Sequence, residues 1–179
     1  EDGIYVGNSS WPDQIALLRE APTSINRIEC SVGAWGCSDF ENMQTLIETQ
    51  GTGNSSILYQ NFEVLKAITG AEAINFDDES NYHLNSTVEF SLLLIELGFT
   101  VTLCPYSIFQ QQFWGRLYDQ INFMKPGKCD RVYLQCYAGG SNNNPADWNK
   151  KFDNITVTPG LWCKHGSECD MGNSPGLVE

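Results

Sequence analysis

The sequence predicts an α/β fold in which parallel strands alternate with helices. Three observations predict this class. The chain has 179 residues, of which 41% are hydrophobic and 12% aromatic, so it can bury the core of one ordinary domain. Short β-rich runs bounded by turn residues alternate with stretches of helical periodicity. No repeat or low-complexity linker divides the chain, so residues 1–179 are expected to form a single domain.

Each predicted strand is a short run rich in β-branched and aromatic residues: 27–32, 73–77, 100–104, 131–137 and 155–158. The stretches with helical spacing of apolar residues are 40–49, 60–67, 86–97, 111–121 and the more weakly patterned 146–152. Strands joined by crossover helices run parallel, because a right-handed strand–helix–strand unit returns each strand beside the previous one. An open sheet and a closed barrel share this local pattern.

Charge and motif content exclude several classes of function. The 10 basic and 22 acidic side chains give a formal net charge of −12, which repels a phosphate backbone, so we expect neither nucleic acid nor an anionic membrane as a partner. Gly51 and Gly53 follow a helix and lack the third glycine of a dinucleotide-binding loop. His83 and His165 lack nearby ligand partners in the sequence, and we expect no metal and no cofactor.

The cysteine and asparagine patterns predict a secreted glycoprotein. Seven cysteines are many for a cytosolic domain, and none forms a C-x-x-C pair. We expect partial disulfide stapling, with a bridge from Cys163 to Cys169 favoured, although strand cysteines such as Cys104 and Cys136 are alternatively small buried hydrophobic residues. Acceptor sequences for N-glycosylation occur at Asn8, Asn54, Asn85 and Asn154.

The most informative run is 72–79, in which polar residues alternate with apolar ones inside an otherwise apolar strand. Asn75, Asp77 and Glu79 therefore share one face. Such a row also fits the solvent side of an edge strand. In a central strand, buried carboxylates cost free energy and are kept for a chemical task or by mutual hydrogen bonding.

The run 72–79 resembles the Asp-x-x-Asp-x-Asp-x-Glu signature on the fourth strand of glycoside hydrolase family 18, the chitinases and their relatives. Two further segments lie in the order that this family has. Residues 31–35 resemble the Ser-x-Gly-Gly motif of its third strand, and residues 135–137 resemble the polar-x-Tyr motif of its sixth. The three ordered motifs together predict the family more specifically than any one of them alone.

The sequence departs from the family pattern at four motif positions. Glu72 and Asn75 stand where the family has its first and second Asp, and Ala34 stands where the second Gly of the third-strand motif is usual. Asp78 replaces the aromatic residue often found before the acid. The essential pair of the signature is retained as Asp77 and Glu79.

The resemblance implies a TIM-type (β/α)8 barrel of which this chain carries the third to seventh strands. A complete barrel typically takes about 250 residues. We therefore expect the chain to be a portion of a longer protein, or to associate with the missing barrel segments, since five parallel strands alone leave two exposed edges. A compact open sheet is the alternative architecture.

The resemblance also implies a retaining glycoside hydrolase that cleaves β-1,4-linked N-acetylglucosamine, in chitin, chito-oligosaccharides or the chitobiose core of N-glycans, by substrate-assisted catalysis. Glu79 is then the acid that protonates the leaving oxygen. Asp77 orients the 2-acetamido group and raises the proton affinity of Glu79. Tyr137 donates to the acetamide oxygen, Gln135 hydrogen-bonds the same sugar, and Asn75 supports Asp77 from beneath.

Aromatic residues supply the expected substrate platforms, because sugars present apolar faces to aromatic rings. Trp35, Tyr106 and Trp162 are the expected platforms, whereas Trp114 and Trp148 lie in helical stretches and are expected to pack in the core. The alternative function is a chitinase-like lectin that binds the same sugars without turnover. Retention of the acid favours the enzyme, and the altered signature positions favour the lectin. A third alternative is an α/β domain in which the Asp-Glu strand is coincidental.

Overall fold

The structure is a computed structural model that describes residues 3–152 and 155–162. It contains a sheet of five strands: β1 (Glu29–Val32), β2 (Ala73–Phe76), β3 (Thr100–Leu103), β4 (Cys129–Gln135) and β5 (Val157–Gly160). The strands pair in chain order, and every pair is parallel. The predicted α/β class and all five predicted strands are confirmed. Within the described residues the sheet is not closed into a barrel.

In the described part of the chain α1 (Trp11–Leu17) precedes β1, and the other helices connect the strands: α2 (Asp39–Gln50), α3 (Ile57–Thr69), α4 (Leu84–Glu96), α5 (Gln111–Met124) and α6 (Pro145–Asn149). Short 3-10 turns cover Ile108–Gln110 and Ala138–Gly140. The five predicted helical stretches are confirmed, and the crossover from β1 to β2 holds two of them. The apolar periodicity does not predict α1, because none of its residues is buried.

Helix α3 illustrates how the local sequence sets an element's ends. The hydroxyl of Ser56 accepts a hydrogen bond from the Tyr59 backbone N–H at 3.2 Å, which satisfies a donor in the first turn of the helix. At the other end Gly70 adopts a left-handed conformation with φ of +62°, which glycine reaches without steric cost. The chain then turns directly into β2.

One face of the sheet forms the core with the helices. Each strand is added beside the previous one in the same direction across the sheet, so right-handed crossovers place the connecting helices on the same face. Helix α4 contacts both α2 and α5. The Phe76 ring of β2 stacks on Phe90 of α4 with centroids 5.3 Å apart. Six strand side chains on this face are fully buried: Ile74, Phe76, Val101, Leu103, Val132 and Leu134.

The opposite face of the sheet is polar, because side chains alternate along each strand. Asn75 of β2 donates to the Thr102 hydroxyl at 2.9 Å and accepts from Ser31 of β1 at 3.3 Å. Thr102 donates in turn to Glu29 at 2.8 Å. Hydrogen bonds therefore link β1, β2 and β3 side by side across this face.

Contacts between β1 and β4 show that the sheet curls toward its polar face. In a flat sheet these strands would lie about 14 Å apart, three spacings of the hydrogen-bonding direction. The Tyr133 hydroxyl of β4 nevertheless donates to Glu29 of β1 at 3.0 Å. Arg27 forms a two-pronged ion pair with Asp130 at 2.6 and 2.9 Å, and its Nε lies 2.7 Å from Glu29. The polar face is consequently concave.

Cysteines of the described residues do not show the predicted stapling. Cys30, Cys37, Cys104 and Cys129 are free thiols, and Cys136 is fully buried beside β4. The proposed bridge from Cys163 to Cys169 lies outside the described residues, as does the glycosylation sequence at Asn154. None of the helices in residues 3–152 and 155–162 is long and apolar enough to cross a membrane.

We predict that Arg27→Met destabilises the chain more than a matched change at an exposed ion pair. Removing one partner of a buried ion pair costs about 3–5 kcal/mol, and the partial exposure of this pair reduces the expected loss to about 2 kcal/mol. Lys150→Met removes the exposed pair with Asp147 and should cost less than about 0.5 kcal/mol. Urea denaturation measures both, and equal losses would contradict the role assigned to Arg27.

Candidate active site

Polar side chains gather where β2, β3 and β4 end. Asp77 follows β2 directly, Cys104 follows β3, and Gln135 is the last residue of β4. The strands are parallel, so these ends lie at one edge of the sheet, and the two-residue period places all three side chains on its concave face. Glu79 and Tyr137 continue the same period beyond the strands. This cluster is the candidate active site.

The Gln135 side-chain amide joins the two carboxylates. Its Nε2 donates to Asp77 Oδ1 at 2.8 Å and lies 3.2 Å from Glu79 Oε1. Gln135 is itself 6% exposed, while Asp77 and Glu79 are half-buried. One neutral amide from β4 thus fixes the separation of two carboxylates that belong to β2 and its following loop. Asp77 and Glu79 therefore share one face of the sheet, as the two-residue period predicts.

Burial, together with the negative charge of Glu79, raises the pKa of Asp77 to about 6. Hydrogen bonds from the Cys104 thiol and the Gln135 amide oppose the shift because they stabilise the carboxylate. The pKa of Asp77 is therefore raised because its carboxylate is removed from water and lies beside a second carboxylate, that of Glu79. Asp77 therefore holds its proton up to a weakly acidic pH, above the range of an ordinary Asp.

Tyr137 follows β4 two residues after Gln135, with its phenol near Asp77 and Glu79 and its ring against Trp162. The ring centroids of Tyr137 and Trp162 are 6.3 Å apart. Burial raises the pKa of Tyr137, and the charges of Asp77 and Glu79 add to the shift. The phenol therefore keeps its proton and is available as a hydrogen-bond donor.

Asn143 fixes the loops that follow β3 and β4. Its side-chain amide donates to the carbonyls of Tyr106 and Gln135 at 2.7 and 2.8 Å. Its oxygen accepts from the buried indole N–H of Trp148 at 3.0 Å. Tyr106 lies against the turn after β4, where a Cβ on Gly139 would overlap its hydroxyl. A single buried side chain thus sets the position of Gln135 relative to Tyr106.

Gly33 brings the end of β1 against the end of β2. Its φ is +89°, and a Cβ there would overlap the backbone carbonyl of Asp77. The Gly33 N–H donates to the Asp39 carboxylate at 3.0 Å, which ties this turn to the start of α2. The motif in 31–35 has a glycine at this position, and the close approach of the two strand ends is a physical reason for it. Ala34, in contrast, is exposed.

The remaining signature residues have other partners. Glu72 lies at the opposite end of β2, where it pairs with Arg19 at 2.6 Å and accepts from the Ile28 N–H. Asn75 hydrogen-bonds Thr102 and Ser31 instead of Asp77, so the expectation that it supports Asp77 is wrong. Asp78 is 1% exposed.

The burial of Asp78 has a structural cause. Its carboxylate accepts from the backbone N–H groups of Ser80, Asn81 and Tyr82 at 3.1, 2.9 and 2.7 Å. Asp78 therefore holds the loop that carries Glu79, and it does so from the side of the sheet on which the helices pack.

The aromatic residues divide as the sequence predicts. Trp114 and Trp148 are fully buried, whereas Trp35 in the loop after β1 is 85% exposed and Trp162 after β5 is 42% exposed. Sequence reasoning assigned no role to Phe109, which is 90% exposed in the 3-10 turn after β3. The sequence analysis also interpreted Cys104 as a small buried hydrophobic residue. The two-residue spacing from Thr102 is the signal that could have placed Cys104 in the site.

No group of His, Cys, Asp or Glu side chains in the described ranges has the arrangement to hold a metal ion. Comparison with protein-family models, with curated proteins and with solved structures finds no match for this chain. The interpretation of the site therefore rests on its own geometry and on the three sequence motifs.

We predict that Gly33→Ala is far more damaging than Gly36→Ala. Both glycines have positive φ, but a Cβ at Gly36 meets no atom within 4 Å. Gly36→Ala should cost only the left-handed backbone penalty of about 1 kcal/mol, and Gly33→Ala should cost about 3 kcal/mol because it also overlaps the Asp77 carbonyl. Urea denaturation compares them. Equal destabilisation would show that β1 does not approach β2 as described.

We also predict that Asp77 makes the chain less stable as the pH rises. Its pKa is 3.8 in the reference state and about 6 when folded, so between these values the folded chain holds a proton that the unfolded chain has lost. The free energy of unfolding should then decrease across this interval. Asp77→Asn should remove that decrease, whereas Asp119→Asn on α5 should keep it because Asp77 is intact. Urea denaturation at a series of pH values measures the slopes, and an unchanged slope in Asp77→Asn would refute the assignment.

Proposed function

We propose that the chain is part of a retaining glycoside hydrolase that cleaves β-1,4-linked N-acetylglucosamine by substrate-assisted catalysis. The observation that carries this proposal is the pair Asp77 and Glu79, held by one amide of Gln135 at the carboxyl edge of a concave parallel sheet. Tyr137 beside them adds a phenol donor. Hydrolysis of a glycosidic bond needs an acid at the leaving oxygen and stabilisation of the charge that develops on the sugar.

The residues take distinct roles in the proposed reaction. Glu79 protonates the leaving oxygen while the acetamide oxygen of the substrate attacks the anomeric carbon. Asp77 accepts the acetamide N–H and so orients that nucleophile, and its charge stabilises the positive charge of the cyclic intermediate. Tyr137 donates its hydroxyl to the acetamide oxygen. Water, deprotonated by Glu79, then opens the intermediate and returns the enzyme to its starting state.

The architecture proposed with this function is a (β/α)8 barrel in which β1 to β5 are the third to seventh strands. Three features support it. The strands follow chain order without reversal, whereas a doubly wound sheet reverses its strand order. The helices pack on one face, and the bonds of Glu29 to Tyr133 and Arg27 to Asp130 draw β1 toward β4. The missing strands would come from segments outside this sequence. We also propose that the whole protein is secreted.

A sugar-binding protein without turnover is the second candidate. It is favoured by Asn75, whose amide bonds Thr102 at 2.9 Å. The family pattern has an Asp at this position, and an amide cannot share a proton with Asp77 as a carboxylate can. Under this candidate Trp35, Tyr106 and Trp162 bind the sugar faces, while Asp77, Gln135 and Tyr137 hydrogen-bond the acetamide.

We predict that Glu79→Gln abolishes release of reducing ends from a tetramer of β-1,4-linked N-acetylglucosamine. Removal of a general acid should lower the rate by at least about a hundredfold, while the tetramer still binds in calorimetry. Glu89→Gln, an exposed change on α4, is the matched control and should keep the wild-type rate. Binding by the wild-type chain without any release would select the sugar-binding protein, and absence of binding would contradict both candidates.

A further inference from the structure

The acid of the proposed reaction, Glu79, lies beyond the end of its strand. Strand β2 ends at Phe76 and α4 begins at Leu84, so Glu79 belongs to the connecting residues 77–83, which we call the acid loop. The side chain of Glu79 lies 3.2 Å from the Gln135 amide. That contact restrains only the tip of a flexible side chain, so the backbone position of Glu79 depends on what holds the acid loop.

Asp78 holds the acid loop from the side opposite to the Glu79 side chain. Its carboxylate is 1% exposed. Oδ1 accepts from the backbone N–H groups of Ser80 and Asn81 at 3.1 and 2.9 Å, and Oδ2 accepts from that of Tyr82 at 2.7 Å. An ionised carboxylate offers acceptors only, so its two oxygens bind the three backbone donors that follow Glu79.

Tyr82, at the far end of this set of bonds, has a strained backbone. Its φ is +50°, which is unfavourable for a bulky side chain. The shortest of the three Asp78 bonds goes to its N–H, and its ring meets Phe113 and Trp114 of α5 edge to face at 5.4 and 6.3 Å. Strain of this kind persists only where the surrounding contacts enforce it, and it concentrates where a functional group has to be placed.

Asn81 ties the same loop to α2. Its side-chain amide donates to the Phe40 carbonyl at 3.2 Å and to the Gln44 side-chain oxygen at 3.1 Å. The acid loop is thus held by α2 through Asn81 and by α5 through Tyr82. Asp78 joins these two residues through their backbone N–H groups, so removing its carboxylate would release the turn that follows Glu79.

We propose that Asp78 is a positioning residue that places the Glu79 carboxyl group at the leaving oxygen by holding the acid loop in its strained turn. The inference rests on the proposed function, because Asp78 acts through the acid of that reaction. Its importance should therefore depend on the leaving group. A sugar hydroxyl has to be protonated as it departs, whereas 2,4-dinitrophenolate departs without a proton.

The test measures kcat/KM, which reports cleavage of the glycosidic bond, for two substrates. One is the tetramer of β-1,4-linked N-acetylglucosamine, and the other is the 2,4-dinitrophenyl β-glycoside of its dimer. Asp78→Asn keeps the size of the side chain but leaves one acceptor oxygen in place of two. Ile121→Val is the control for lost stability, because Ile121 is fully buried on α5 about two turns beyond Trp114.

Asn81→Ala is a second test variant, because it weakens the tie to α2 and keeps the Asp78 carboxylate. Circular dichroism checks that each variant is folded. If Asp78→Asn does not fold, the comparison of the two substrates in Asn81→Ala decides the matter.

We expect Asp78→Asn to lower kcat/KM for the tetramer by about tenfold, through kcat and not KM, because a displaced acid reacts poorly. The loss for the dinitrophenyl substrate should stay below about twofold. Asn81→Ala should show the same pattern with a smaller loss, and Ile121→Val should lower neither rate.

An unchanged rate on the tetramer, or equal losses on both substrates, would overturn the positioning role and leave the proposed function intact. If the wild-type chain cleaves neither substrate, the proposed function fails, and this inference fails with it.

Discussion

The ion pair between Arg27 and Asp130 connects the first and fourth strands across the concave face, and the candidate active site depends on the curvature that this contact stabilises. Glu29 reinforces the contact by bonding Tyr133 at 3.0 Å and Thr102 at 2.8 Å. In a flat sheet the side chains of β2 and β4 would stand side by side at about 9.5 Å. Curvature inclines them toward each other, and Gln135 then reaches Asp77 at 2.8 Å.

One face of the sheet stabilises the fold, and the other carries the candidate active site. Apolar side chains at every second position bury one face beneath α4 and α5, and this burial supplies the main driving force for folding. The alternate positions carry polar groups, which cost free energy to bury unless they are hydrogen-bonded. Ser31, Asn75 and Thr102 meet that condition by bonding each other. At the strand ends, in contrast, burial and the neighbouring charge of Glu79 raise the pKa of Asp77.

Much of the fold follows from the sequence, because strand and helix periods are local properties. The five predicted strands and the buried positions of Trp114 and Trp148 are confirmed. Helix α1 carried no periodic signal, since none of its residues is buried. In the site, the two-residue period placed Asp77 beside Glu79. It could not show that Gln135 bridges them or that Asn143 fixes Gln135, because those contacts join residues far apart in the chain and depend on how the sheet curls.

The stereochemistry of hydrolysis is a direct test of the proposed reaction, because substrate-assisted attack at the Asp77 and Glu79 pair would retain the anomeric configuration. Proton NMR of the reaction with a tetramer of β-1,4-linked N-acetylglucosamine, recorded before the product anomers equilibrate, reads this outcome. We expect the β anomer of the new reducing end to form first and the α anomer to follow only by mutarotation. Initial appearance of the α anomer, or no product at all, would contradict it.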